Sequence, residues 1–254
     1  MRVTDPTPEL PLVTPASERR RRHPATVLLR TLYEWTKSLS LALLLFVLVR
    51  AFLVEAFKIP SGRMEGTLLV GDFLLVNKLV YGAEVPGTNR RLPAVRQPAH
   101  GDILVFQWPV DPSKNFVKRL VGLPGDTLAM RDGVLLRDGV RQRERYVTHT
   151  EPGSDAVAED FRWQRNFLVR HAAAARSYHP SRNNWGPIVV PAGNYFVLGD
   201  NRDNSLDSRY WGFVADSLVR GSPLIVYYSF DPDSAVAFDW LRRVRWHRLG
   251  ERVH

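Results

Sequence analysis

At 254 residues the chain is long enough for one folded body with an appendage, and its 44% hydrophobic content excludes wholesale disorder. Cysteine is absent, which excludes disulfides, thiolate nucleophiles and thiolate metal sites. The net charge of +9 sits mostly at the ends, with seven Lys/Arg against four Asp/Glu in residues 1–37 and five Arg against Glu251 in residues 240–254, a pattern that suits a membrane surface better than a nucleic acid.

Residues 1–24 carry Pro6, Pro8, Pro11 and Pro15 and are expected to form a disordered tail. Residues 25–57 read as an amphipathic lead-in followed by a transmembrane anchor. The run 38–49 is uncharged and mostly apolar, and continued to Phe57 it reaches the roughly 20 residues needed to span hydrocarbon. Arg50 and Glu55 interrupt it near the far end, where long side chains reach the interface, and Tyr33 and Trp35 precede it at belt depth. A cleaved signal peptide is disfavoured because 37 residues precede the run and no A-x-A site follows it. Arg19 to Arg22, Arg30 and Lys37 lie before the anchor, which places the N-terminus in the cytoplasm and residues 58 onward outside.

Beyond the anchor the pattern is β. Short apolar, β-branched runs at 73–76, 103–106, 116–121, 188–190, 195–198 and 224–228 are strand candidates. Asp132-Gly133 and Asp138-Gly139 flank Val134-Leu135-Leu136, a hairpin signal. No long helical period is visible between residues 58 and 235. The polar stretch 142–184 reads as an insertion outside the main sheet. Trp240 to Trp246 mixes Trp with Arg, either as an interfacial segment or as a solvated terminal element.

Three segments carry candidate chemistry. The first is 59–68, Ile-Pro-Ser-Gly-Arg-Met-Glu-Gly-Thr-Leu; the second is 118–126, Lys-Arg-Leu-Val-Gly-Leu-Pro-Gly-Asp. The third is 199–212, Gly-Asp-Asn-Arg-Asp-Asn-Ser-Leu-Asp-Ser-Arg-Tyr-Trp-Gly. Lys118 and Arg119 lie inside an apolar strand, so one of them points to the core side. A desolvated lysine loses proton affinity and can act as a base, whereas arginine stays cationic. Asp203-x-Ser205-x-Asp207 has calcium-loop spacing, but Ser208 and Val214 stand where such a loop needs Gly and Glu. An internally hydrogen-bonded scaffold is the better reading of that turn. The seven histidines form no H-E-x-x-H pair, and no metal or nucleotide motif implies a cofactor.

In these segments, together with Gly101-Asp102-Ile103-Leu104-Val105-Phe106, the chain resembles bacterial type I signal peptidases, membrane-anchored Ser/Lys proteases. The resemblance runs from the anchor nearly to the C-terminus. It implies an all-β antiparallel catalytic core at 58–131 and 194–254, with an inserted cap at 132–193. It also implies a single-pass protein of the bacterial inner membrane, its catalytic domain on the periplasmic face, whose partners are membrane lipid and the signal peptides of exported preproteins.

Carried over residue by residue, Lys118 corresponds to the general base and Ser205 to the hydroxyl that orients it. Asp207 and Arg209 match a bracing ion pair, and Ser61 matches an oxyanion ligand. The nucleophile position departs from the pattern. The family motif reads Ser-Gly-Ser-Met, and this chain reads Ser61-Gly62-Arg63-Met64. Arginine has no hydroxyl and cannot form an acyl-enzyme, and its charge repels a protonated Lys118. Signal-peptide removal by a Ser/Lys dyad, compromised at Arg63, is therefore the expected function. The alternative is an inactive homologue that binds signal peptides or assists assembly. Gly66, where the family commonly has proline, is expected to loosen the loop.

Overall fold

The computed structural model describes residues 24–88, 90–150, 153, 155–169, 177–232 and 243–254, and the expected tail at 1–23 lies outside them. The chain divides into an N-terminal unit, Met1–Phe46, and a body, Val47–His254.

Helix α1 spans Pro24–Leu48, opening on a proline whose fixed φ and missing N–H suit a first helical position. Its 25 residues extend roughly 37 Å at 1.5 Å per residue, enough to cross about 30 Å of hydrocarbon. The apolar stretch long enough to span runs Leu28–Leu53 and includes a π-helical turn at Val49–Leu53. It stops short of the expected Phe57, because Val54–Lys58 is a strand, β1. Glu55 is therefore not an interfacial residue of the anchor. It lies on β1, with Lys78 3.6 Å away.

The body is antiparallel β, as the sequence pattern predicts. β2 is Asp72–Asn77, β3 Ile103–Trp108 and β4 Asp111–Gly122. β5 is Thr127–Arg131, β6 Val134–Arg137, β7 Val140–Arg141, β8 Trp185–Val189 and β9 Asn194–Leu198. β10 is Val214–Ala215 and β11 Val219–Ser229. A seven-stranded sheet runs β1-β2-β11-β3-β4-β9-β10, and a four-stranded sheet runs β7-β6-β5-β8. β5, upstream of residue 132, belongs to the second sheet, paired with β6 and β8. Asp132, Gly133, Asp138 and Gly139 all have positive φ, as tight two-residue hairpin turns require.

Strand periodicity explains why several runs are apolar without a break. On β3, Ile103 and Val105 pack with Leu68, Leu74 and Val76, while Leu104 and Phe106 pack with Leu120, Val197 and Val219 on the other face. On β9, Tyr195 and Val197 join that second cluster, and Phe196 and Leu198 join Leu128, Trp185 and Ile188 of the smaller sheet. Strands buried on both faces lose the polar alternation of a half-exposed sheet. β11 bends through register shifts at Gly221, Pro223/Ile225 and Val226/Tyr228. A Cβ on Gly221 would collide with the Asn77 carbonyl, so this close approach admits only glycine.

The C-terminal segment docks on the body. Val244 bridges Phe230, and buried Arg248 donates to Asp72 Oδ2 at 2.7 Å and Oδ1 at 3.1 Å. Residues 240–242 lie outside the described residues.

Candidate active site

Phe116, Lys118 and Leu120 share one face of β4, and Val117, Arg119 and Val121 share the other. Since Phe116 and Leu120 belong to an apolar cluster, the Lys118 stem lies among hydrophobic side chains. Both Lys118 and Arg119 are buried, 1% and 2% exposed, although strand alternation predicts that only one of them faces the core. The other face is covered as well.

Lys118 Nζ donates to Ser205 Oγ at 2.9 Å. Burial lowers its amine from the ordinary 10.5 to about 7; the charge of Asp207 opposes this shift, and the charges of Arg63 and Arg209 add to it. An amine in that range is partly neutral at neutral pH and can accept a proton.

Ser205 stands in the turn between β9 and the short helix α2, Ser208–Trp211. Asp207 caps α2, its carboxylate accepting from Arg209 N at 3.2 Å. It also accepts from Arg209 Nε and Nη2, both at 2.8 Å, and from Gly199 N at 3.1 Å. Burial works against the Asp207 charge, but the Arg209 guanidinium and these donors outweigh it and hold the carboxyl below its ordinary range. Arg209 Nη2 also reaches the Arg202 carbonyl at 2.9 Å, so one ion pair pins both ends of the turn.

Ser61 is extended, with φ −148° and ψ 152°, and opens a 3₁₀ turn at Gly62–Met64 to which its side chain makes no capping bond. Met64 and Leu68 anchor this loop in the core. The Arg63 carbonyl accepts from Asn201 N at 3.4 Å, and Asn201 Nδ2 donates to the Gly62 carbonyl at 3.3 Å. A Cβ on Gly199 would stand 2.5 Å from Arg63 O and would also collide with Ser205 Oγ. The missing side chain at 199 is what brings the 62–64 turn against Ser205. Gly66 has φ +106°, a conformation closed to proline, so glycine there fits the loop's path rather than simply loosening it.

The Arg63 guanidinium lies half-buried, 5.9 Å from the Phe116 ring centroid. Together with Phe57, Ile59, Pro60, Ser61, Met64, Phe116 and Lys118 it lines a cleft of 430 Å³. Ser61, Arg63 and Lys118 thus share one concavity, with Ser205, Asp207 and Arg209 behind Lys118.

Other supports were not singled out from the sequence. Arg119 binds Asp200 through Nε at 2.8 Å and Nη2 at 2.7 Å, and Thr67 Oγ1 donates to Asp200 Oδ2 at 2.6 Å. That network ties the first segment to the third through the second. Arg202 forks onto Glu144 at 2.9 and 2.6 Å. The adjacency of Arg119 to Lys118 was the available signal for the first network; Glu144 offered none.

A family model described as "Signal peptidase, peptidase S26" matches residues 32–228. A signal peptidase I of Pseudomonas aeruginosa is 39% identical over 216 residues, covering 80% of this chain and 74% of that protein. A signal peptidase I of Aquifex aeolicus is 30% identical over 250 residues, covering 84% and 93%. The crystal structure of a signal peptidase I from Enterococcus faecalis V583 is 30% identical, covers 51% of this chain and 98% of its own, and overlays with a TM-score of 0.33, too loose a fit to bear on the fold. With the family model matching most of its length and relatives this similar over most of theirs, the chain belongs to the signal peptidase, peptidase S26 family, whose signal peptidase I members are serine endopeptidases.

Proposed function

We propose that this chain receives the signal peptides of exported preproteins in the cleft beside Lys118, and that hydrolysis there is compromised by Arg63 alone. The observation that carries this reading is the buried Lys118 amine, bonded to Ser205 at 2.9 Å and opening into the cleft that the Arg63 guanidinium enters. Lys118 is the general base, Ser205 orients it, and the Asp207–Arg209 pair braces Ser205. Ser61 and the backbone N–H of residue 63 hold the oxyanion.

With serine at 63, the hydroxyl proton would pass to Lys118 Nζ as Oγ attacks the scissile carbonyl, and the ammonium would then protonate the leaving amine. The guanidinium at 63 supplies no such oxygen. Loss of a covalent nucleophile typically costs on the order of 10⁶ in rate, leaving only binding and oxyanion contributions. The basic flank before α1 supports a cytoplasmic N-terminus, with the body on the periplasmic face of the inner membrane and lipid around the apolar helix.

The test is preprotein cleavage by the chain as it stands, Arg63→Ser, Arg63→Ser with Lys118→Ala, and Ser61→Ala. The expected result is cleavage by Arg63→Ser only. Strong cleavage by the unaltered chain that Ser61→Ala abolishes would make Ser61 the nucleophile and overturn the assignment.

A further inference from the structure

The cleft contains no acidic side chain and four basic ones, Lys58, Arg63, Lys114 and Lys118. The four differ in what they touch. Lys58 lies over the Phe230 ring, with 5.2 Å to its centroid. Lys114 pairs with Asp111 at 2.9 Å. Lys118 is bonded to Ser205. The nearest buried carboxylates behind the cleft are committed too, Asp207 to Arg209 and Asp200 to Arg119. Among the described residues only Lys114 of these four cations has a carboxylate within ion-pair distance; Lys118 has the Ser205 hydroxyl, Lys58 has aromatic rings, and the Arg63 guanidinium, the one planar fork of the four, has the Phe116 ring. A half-buried guanidinium against an apolar wall is weakly hydrated, and its planar fork matches a carboxylate with two parallel N–H···O bonds.

An internal peptide bond passing through this cleft is neutral and offers Arg63 only a carbonyl. A peptide that ends there offers a carboxylate. We propose that the cleft of this chain holds the free C-terminal carboxylate of a peptide, with Arg63 as its counter-ion and the apolar walls taking the residues before it. This rests on the reading that the cleft receives signal peptides and narrows the ligand to a peptide already cut. The residue that removes the nucleophile then supplies an anion site in the same place.

The test uses the full chain in detergent micelles and fluorescence anisotropy with three labelled peptides of one sequence, apolar and ending in small-x-small residues. One has a free C-terminal acid, one a C-terminal amide, and one continues past the small residues so that an internal bond occupies the cleft. The acid is expected to bind about 10- to 100-fold more tightly than the amide, the range for a charge-assisted hydrogen-bonded pair. Arg63→Gln should bring acid and amide together, and Arg63→Lys should keep part of the preference. Equal binding of acid and amide, or a preference that survives Arg63→Gln, overturns the proposal. So does displacement of the acid by acetate at equal concentration, which would mark a plain anion site. If acid and amide bind alike while the continuing peptide binds, only this inference fails; if none of the three binds, the signal-peptide reading fails with it.

Discussion

Replacing Asp207 by asparagine should be among the most damaging isosteric changes in the body. The carboxylate is 0% exposed and faces four donors, Arg209 Nε, Nη2 and N and Gly199 N, at 2.8 to 3.2 Å. Asparagine keeps one oxygen and turns an NH₂ toward donors that cannot accept from it. At least one N–H loses its partner, and the Arg209 guanidinium, 1% exposed, is left buried without its hydrogen-bonded counter-charge. Breaking one side of such a pair costs about 3 to 5 kcal/mol, with little relief from solvent screening at this depth. At roughly 2 to 4 °C per kcal/mol for a body of this size, the melting temperature should fall by about 6 to 20 °C. The assay is thermal unfolding of the full chain in micelles, followed by circular dichroism. Asp207→Asn with Arg209→Met should lose less than the two single losses added together, because the double change leaves no unpaired charge. A fall below about 3 °C, or strictly additive losses, would refute the argument that this pair braces the turn.

Three further outcomes follow from the same geometry. Because burial lowers the Lys118 amine from 10.5 to about 7, the unfolded chain holds a proton between those values that the folded chain does not. Stability should therefore rise as pH climbs through that window, and Lys118→Met should remove this component; a variant with the unaltered pH slope would contradict a depressed amine. Gly199→Ala places a methyl 2.5 Å from the Arg63 carbonyl and should cost about 1 to 3 kcal/mol by urea denaturation, whereas unchanged stability would contradict the close approach. Protease added outside intact spheroplasts should degrade residues 58–254 and spare the N-terminal tail; protection of the body would reverse the proposed orientation.

Most of the body was legible because its strands are marked by chemistry the backbone requires. Asp-Gly pairs at 132–133 and 138–139 predict turns with positive φ, and the structure has them. Runs such as Ile103-Leu104-Val105-Phe106 read as strands without alternation, for the reason that both faces are buried. β1 was missed because Val54 to Lys58 continues the apolar anchor with no glycine or proline to mark the change from helix to strand. What separates it is the pairing of Val54 with Asn77 and Lys58 with Phe73, a tertiary fact that local propensity does not carry. Lys118 was legible as a charge inside an apolar strand. Its neighbour Arg119 was harder, since its partner Asp200 lies far along the chain and only the folded sheet brings them together.

In the proposed function, Lys118 is a working base that lacks only a hydroxyl at position 63. The most direct measurement is the pH dependence of kcat/KM for preprotein cleavage by Arg63→Ser, which reports the essential base of the free enzyme. Activity is expected to rise with pH through one ionisation at or somewhat above about 7, since the substitution removes a positive charge that depresses the Lys118 amine. A folded Arg63→Ser protein that stays inactive, or one whose kcat/KM is flat across neutral pH, would contradict it.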